Sequence, residues 1–223
     1  MKIKKGDFIE IDYIGTLDDH TIFDLTSAHT AQDKGVYNPQ ASYGSRIICV
    51  GEQQIVKGLD AFLIDKDTRE YDISLQPDDA FGKKDSKLIK IMPMQTFIKQ
   101  RIKPMPGLQV NIDGIVGVIK SVSGGRVIID FNHPLAGRSV HYHIIIHTII
   151  TDTHRKLSGF LKSLFGQDIP CTITKDTAAL QFQLPKEMHD ALITHIKKLI
   201  PELTTITITA PLPPPEKTPL KNK

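Results

Sequence analysis

Strict alternation of apolar and polar residues is what most constrains this chain. In Ile9-Glu-Ile-Asp-Tyr13 the apolar side chains stand at odd positions and the acids at even ones. Glu70-Tyr-Asp-Ile-Ser-Leu75 and Thr205-Ile-Thr-Ile-Thr209 alternate in the same way, and Val140, Tyr142, Ile144 and Ile146 fall on one face of residues 140–150. A period of two is the mark of a strand with one covered and one open face. Other stretches follow the helical period. Leu157, Phe160, Leu161, Leu164 and Phe165 are spaced as a helix that Gly166 stops, and Met188, Ala191, Leu192, His195, Ile196 and Leu199 stripe a second one. The chain therefore belongs to the α+β class.

The composition narrows the function classes. At 223 residues there is room for one large domain or two to three small ones. A formal net charge of +3, with its clearest basic cluster in the tail Glu216–Lys223, argues against nucleic acid, which calls for a concentrated basic face. Cys49 and Cys171 are too few for a disulfide framework and sit in apolar runs, so buried free thiols are expected. The start Met-Lys-Ile-Lys-Lys-Gly-Asp-Phe8 lacks the apolar core of a signal peptide, and no run has the length of a membrane helix. A cytoplasmic protein with no membrane contact is expected.

Three folded segments and a tail follow along the chain. Residues 1–84 are strand-rich, with a turn at Asp18-Asp-His20, a long polar loop over 26–45 and a short helix at Asp60–Asp65. Residues 85–131 read as one short helix at Pro93–Lys99 and a meander, whose Asp113-Gly114 and Gly124-Gly125 pairs are hairpin turns. Residues 132–152 return to strand. Residues 153–210 read as helix, two strands, helix and strand, and the Pro/Lys tail 211–223 is expected to be extended and disordered.

Two separated motifs bring in a family. Tyr13-Ile-Gly-Thr-Leu-Asp-Asp-His-Thr-Ile-Phe-Asp24 and Val50-Gly-Glu-Gln-Gln-Ile-Val-Lys-Gly-Leu59 resemble the two halves of the FK506-binding-protein (FKBP) prolyl isomerase pocket. Pro77-Asp-Asp-Ala-Phe-Gly82 resembles the loop that closes that pocket. Asn132-His-Pro-Leu-Ala-Gly137 looks like the return motif of the SlyD-like branch, in which a small domain interrupts the flap. Gly35-Val-Tyr-Asn-Pro39 and the C-terminal segment make the chain similar to the long archaeal-type FKBPs. The resemblance covers residues 1–150. It implies an antiparallel sheet wrapped on a short helix, formed by 1–84 with 132–152, an inserted β-rich domain at 85–131 with chaperone-like character, and an αββαβ domain at 153–210.

The implied chemistry is peptidyl-prolyl cis-trans isomerisation. The barrier to amide rotation is about 18–20 kcal/mol because the planar amide is conjugated. The twisted amide has lost that conjugation, so a dehydrated apolar pocket favours it over the ground state, and no nucleophile or cofactor is needed. By resemblance Tyr13, Phe23, Ile55, Val56, Leu59, Phe81 and Tyr142 line the pocket, Leu59 at its floor. Asp24 accepts hydrogen bonds at the rim, and the Val56 N–H holds a substrate carbonyl. The plainer reading of Tyr13, Phe23 and Leu59 is sheet core, and Asp24 separates the two best. Leu59 stands where many members have tryptophan, Phe81 where many have tyrosine, and His20 where a turn glycine is common.

The remaining features point to partners. Ile91, Met92, Met94, Phe97, Ile98 and Met105 belong to an apolar, Met-rich stretch, expected to form both the insert's core and a groove for unfolded chain segments. The expected partners are unfolded or partly folded polypeptides with exposed prolines, and the C-terminal domain is expected to mediate interaction, a homodimer included. His141, His143 and His147 share a strand face that could bind metal weakly, but a solvated face is the expectation, with no metal bound. The rival function is a non-catalytic holdase.

Overall fold

The structure, a computed structural model, describes residues 1–209, so the Pro/Lys tail lies outside the described residues. The chain forms two compact units. One comprises Met1–Thr16, Ile22–Ile73 and the chain from Tyr142 on, and the other Leu17–Thr21 and Ser74–His141. The expected division at 152/153 falls within the first unit, and those at 84/85 and 131/132 fall within the second. No helix among the described residues is long and apolar enough to cross a membrane.

The first sheet is built on β1 (Phe8–Leu17), whose alternation buries Ile9, Ile11 and Tyr13, with Phe8 buried in addition in the core shared with the C-terminal chain. Its first half pairs antiparallel with β3 (Arg46–Cys49), and its second half with β2 (Ile22–Leu25). The ladder shifts by one residue at Gly15/Thr16, a bulge of the kind that re-aims side chains. The sheet continues to β9 (Val140–Ile150) and β4 (Glu70–Leu75), in the order β2-β1-β9-β4. Helix α2 (Lys57–Leu63) buries Leu59 and Leu63. The expected loop 26–45 contains a helix, α1 (Ala28–Asp33). The Ser27 side chain caps it by accepting the Thr30 N–H, and Ala31 is its one buried residue.

The C-terminal chain adds to the same unit. Asp152 caps α4 (Thr153–Phe165) by accepting the Arg155 N–H at 2.7 Å, and Gly166, at φ +69°, ends it in the left-handed conformation. Strands β10 (Cys171–Thr174) and β11 (Thr177–Gln181) form a hairpin. Helix α5 (Lys186–Leu199) then crosses over, so β12 (Thr205–Thr209) pairs parallel to β11. One continuous core joins Phe8, Cys49 and Ile150 to Leu157, Phe160, Leu161, Leu192 and Ile196. Cys49 is buried, as expected of it. Cys171 is only half-buried, because β10 is the edge strand of its three-stranded sheet.

The second unit contains the insert, a sheet in the order β5-β8-β7-β6 with α3. These elements are β5 (Ile89–Pro93), α3 (Met94–Lys99), β6 (Gln109–Ile112), β7 (Ile115–Ser123) and β8 (Arg126–Asp130). Asp113 and Gly114 both have positive φ, as do Gly124 and Gly125, which is what two-residue hairpin turns of the type I′ class require. Phe97, Val110, Ile119, Val127 and Ile129 form its core. Asn132 clamps its neck: Oδ1 accepts the Asp85 N–H at 2.8 Å, and Nδ2 donates to the Asp85 carbonyl at 3.0 Å and to Asp130 Oδ1 at 2.8 Å. Burial raises the Asp130 pKa, but hydrogen bonds from Asn132 and the Lys120 and Lys84 charges outweigh it and hold the carboxyl below its ordinary value.

Candidate active site

Tyr13 on β1, Phe23 and Asp24 on β2, and Tyr142 on β9 come together. The Tyr142 ring meets Tyr13 edge-on at 5.8 Å between centroids and Phe23 edge-on at 5.7 Å. Such pairs hold one another's orientation. The Tyr13 hydroxyl donates to Asp24 Oδ2 at 2.7 Å. Burial pushes the Tyr13 phenol well above its ordinary pKa; the Arg46 guanidinium opposes this and the Asp24 carboxylate adds to it. Burial, then Asp24, pushes Tyr142 the same way, with Arg46 again opposing. Both phenols thus stay protonated donors throughout the neutral range.

Backbone contacts fix Tyr13 in place. Its N–H donates to Thr26 Oγ1 at 3.0 Å, and its carbonyl accepts the Thr26 N–H at 3.1 Å. Thr26 is fully buried, and its hydroxyl donates to Asp12 Oδ1 at 2.7 Å. Asp12 also accepts from Ser45 Oγ at 3.1 Å and contacts His147 Nε2 at 2.7 Å. Burial raises the Asp12 pKa, and these hydrogen bonds together lower it further than burial raises it. Gly15, opposite Asp24 in the ladder, makes room for the rings: a Cβ there would lie 2.6 Å from Phe23 Cζ and 3.1 Å from Tyr142 Cε1.

The segment leading into α2 carries the other residues expected in the pocket. Leu59 is buried to 1% exposure, whereas Ile55 and Val56 are half-buried. The Val56 carbonyl accepts from the Leu59 and Asp60 N–H groups, while its own N–H makes no hydrogen bond among the described residues. Asp60 is buried on α2. Its two oxygens accept the Gly51 N–H at 2.8 Å and the Gln53 N–H at 2.9 Å, which fixes the turn ahead of Ile55 and lets Gln53 hold φ +54°. Phe81 belongs to the second unit and stacks on His133 at 4.6 Å between centroids.

Sequence reasoning missed Gly15, Thr26, Arg46 and Asp60. Gly15 stood within a quoted motif without a role. No local signal marks Thr26, since its burial arises from strand pairing. Arg46 lies with its Cζ 5.5 Å from the Tyr13 ring centroid, a cation–π contact that only the fold creates.

The residues expected to hold peptide on the insert divide. Phe97, at 2% exposure, belongs to the insert's own core, and Met92 and Met94 pack against it. Ile91, Ile98 and Met105 are open to solvent at 62%, 53% and 51%. The strand histidines each take a separate carboxylate: His141 with Asp18 at 2.8 Å, His143 with Asp72 at 2.9 Å and His147 with Asp12. Among the described residues no three His, Cys, Asp or Glu side chains converge as a metal site would require.

Known proteins carry related sequences. Residues 90–135 match the family described as the FKBP26 IF domain. The chain is similar to the short-type peptidyl-prolyl cis-trans isomerase of Methanocaldococcus jannaschii, at 28% identity over 148 residues, which is 66% of this chain and 94% of that protein. It is similar to the FKBP-type 16 kDa peptidyl-prolyl cis-trans isomerase of Escherichia coli, at 33% identity over 104 residues, 43% of this chain and 67% of that protein. The SlyD peptidyl-prolyl cis-trans isomerase of Treponema pallidum matches at 24% identity over 120 residues, 50% of this chain and 65% of its own length.

Proposed function

The chain belongs to the FKBP-type peptidyl-prolyl cis-trans isomerases, in their SlyD-like branch, and from that membership we propose that it accelerates X–Pro isomerisation in folding polypeptides by holding the twisted amide in a dehydrated pocket. The observation that carries this reading is the cluster of Tyr13, Phe23 and Tyr142 rings around Gly15, with the Asp24 carboxylate hydrogen-bonded among them. Proline enters between the rings, with Leu59 as the floor and Ile55 and Val56 as one wall. The unpartnered Val56 N–H donates to a substrate carbonyl and sets the peptide's register. Asp24 faces the twisting carbonyl, where its charge favours the rotated, less polarised amide over the planar one. Phe81 is carried over from the family resemblance alone. The setting that goes with this reading is the cytoplasm.

A protease-free prolyl-peptide assay tests it. Wild type accelerates isomerisation, and Asp24→Ala lowers kcat/KM by about 10- to 100-fold, the cost of losing one charged group's interaction with the transition state. Tyr142→Ala acts mainly on KM, since it removes a wall that holds ground and transition states alike. A wild-type protein with no measurable activity would sink the reading in favour of the holdase.

The insert adds chaperone-like binding of unfolded segments. The exposed Ile91, Ile98 and Met105, joined by Ile115 and Val116, support this. For the chain beyond 152, bracing of the sheet is the better-supported role than self-association. Leu157, Phe160 and Leu161 of α4 and Leu192 and Ile196 of α5 lie in the protein's own core, while Leu164 and Met188 stand exposed.

A further inference from the structure

A cleft of about 320 Å³ opens between residues 42–47 and α4, within the first unit. That is the lower end of ligand-pocket sizes, enough for a short chain segment. Its walls bring together the Tyr43 ring, the Ser45, Ser158 and Ser163 hydroxyls, Arg46 and Lys162. Tyr43 is braced from outside by a stacked contact with Tyr37 at 5.3 Å.

The charges in the cleft are unequal. Lys162 is neutralised by Asp168, at 3.0 Å. Arg46 is exposed and has no carboxylate within ion-pair distance among the described residues. The acids beside this strand are otherwise engaged, Asp24 by Tyr13, Asp12 by Thr26, Ser45 and His147, and Glu10 by Arg155. Arg46 also lies over the Tyr13 ring, so one residue borders both the prolyl pocket and the cleft. An extended chain rises about 3.3 Å per residue, so a substrate held at Tyr13 reaches the cleft within about two to four residues of its proline.

We propose that this cleft is a second subsite of the prolyl pocket, one that takes an acidic side chain of the substrate polypeptide a few residues from the proline, with Arg46 as the specificity-determining cation. The proposal rests on the isomerase reading. Ser163 supplies a hydroxyl donor beside the carboxylate, the Ser45 and Ser158 hydroxyls donating to Asp12 Oδ2 and the Arg155 carbonyl, and the Tyr43 ring covers the peptide's apolar stem. The subsite exists only because α4 is packed against β3. Gly159 permits that approach, since a Cβ there would lie 2.4 Å from Ile47 Cβ.

The test uses the full chain and prolyl peptides of one length, carrying Glu, Gln or Lys at each of the four positions on either side of proline. Turnover and affinity are measured together. The expected result is a Glu-over-Lys ratio of about two- to five-fold at one or two neighbouring positions, the size of an exposed ion pair. The ratio shrinks in high salt. Arg46→Gln brings it to about one, and Ser163→Glu, on the exposed side of α4, lowers it by placing a negative charge in the cleft. Circular dichroism confirms that both variants fold. Equal rates and affinities for Glu and Lys peptides at every position overturn the subsite, as does a ratio that survives in Arg46→Gln. A protein that bound the peptides without turning any over would sink the isomerase reading, and the charge ratio in affinity would still decide the subsite.

Discussion

At Gly15 the demand is for room. Its backbone is ordinary, yet a Cβ would meet the Phe23 ring at 2.6 Å. Gly15→Ala must therefore displace Phe23 or spread β1 from β2 opposite Asp24. Overpacking of this kind costs about 1–3 kcal/mol of stability. The rings of the proposed pocket are the ones that move, so kcat/KM should fall by about ten-fold or more, in line with such a cost. A melt and a peptide assay on the same sample check both, and wild-type activity would mean that Phe23 is not a pocket wall. Asp12 and Asp130 make a second residue-scale prediction. Each carboxyl sits below its ordinary pKa in the folded chain, because hydrogen bonds to the charged form outweigh burial. The folded state then binds these protons less readily than the unfolded chain, whose carboxyls titrate near about 3.9. Their stabilisation is present above that value and is lost as pH falls through the lower folded values. Urea midpoints should hold from neutrality to about pH 4 and then drop, with a shallower drop in Asp12→Asn. Midpoints that rose on acidification would contradict the assigned direction.

Among the elements, alternation gave the positions of β1, β4, β9 and β12, because each has one covered face. It gave no hint of α1. That helix has six residues, too few for a period, and Ala31 alone is buried. Nor did it separate β5 from the Met-rich stretch: Met92 turns toward the insert's core while Ile89 and Ile91 stand open, so the apolar run lacks contrast. The proposed pocket was legible as an ordered set of motifs. Thr26, Asp60 and Arg46 were not, since their roles arise from strand pairing and from a helix carboxylate that reaches back to the turn before it. The neck of the insert leads to a prediction at this scale. Asn132 bonds both the N–H and the carbonyl of Asp85, so the ends of residues 86–131 already lie side by side. Replacing that stretch by a short linker should leave the flanking chain in place. Isomerisation of a short peptide should change little, while prolyl-limited refolding of a protein substrate slows by about ten-fold or more, as expected when a tethered second binding site is lost. Equal losses on both substrates would sink the insert's role in binding unfolded segments.

Taken whole, the first unit closes its core only with the chain beyond 152. Phe8, Cys49 and Ile150 are covered by α4 and its neighbours. A protein ending at 152 should lose at least about 4 kcal/mol, from about 1.5–3 kcal/mol for each large apolar side chain uncovered, and so about 10 °C in Tm. Calorimetry of the two lengths reads this directly. Equal melting temperatures would show that the C-terminal segment is an appendage after all. The shared core also sets an order of events during synthesis. Phe8 lies on β1 and Ile206 of the same core on β12, the first and last strands of the described residues. At about 5–20 residues per second, nearly the whole chain separates them, so the first strand waits roughly 10–40 s for its covering. That interval is comparable to uncatalysed proline isomerisation, at about tens to hundreds of seconds. A prolyl isomerase is thus itself, for that time, an unfinished chain with an open apolar face.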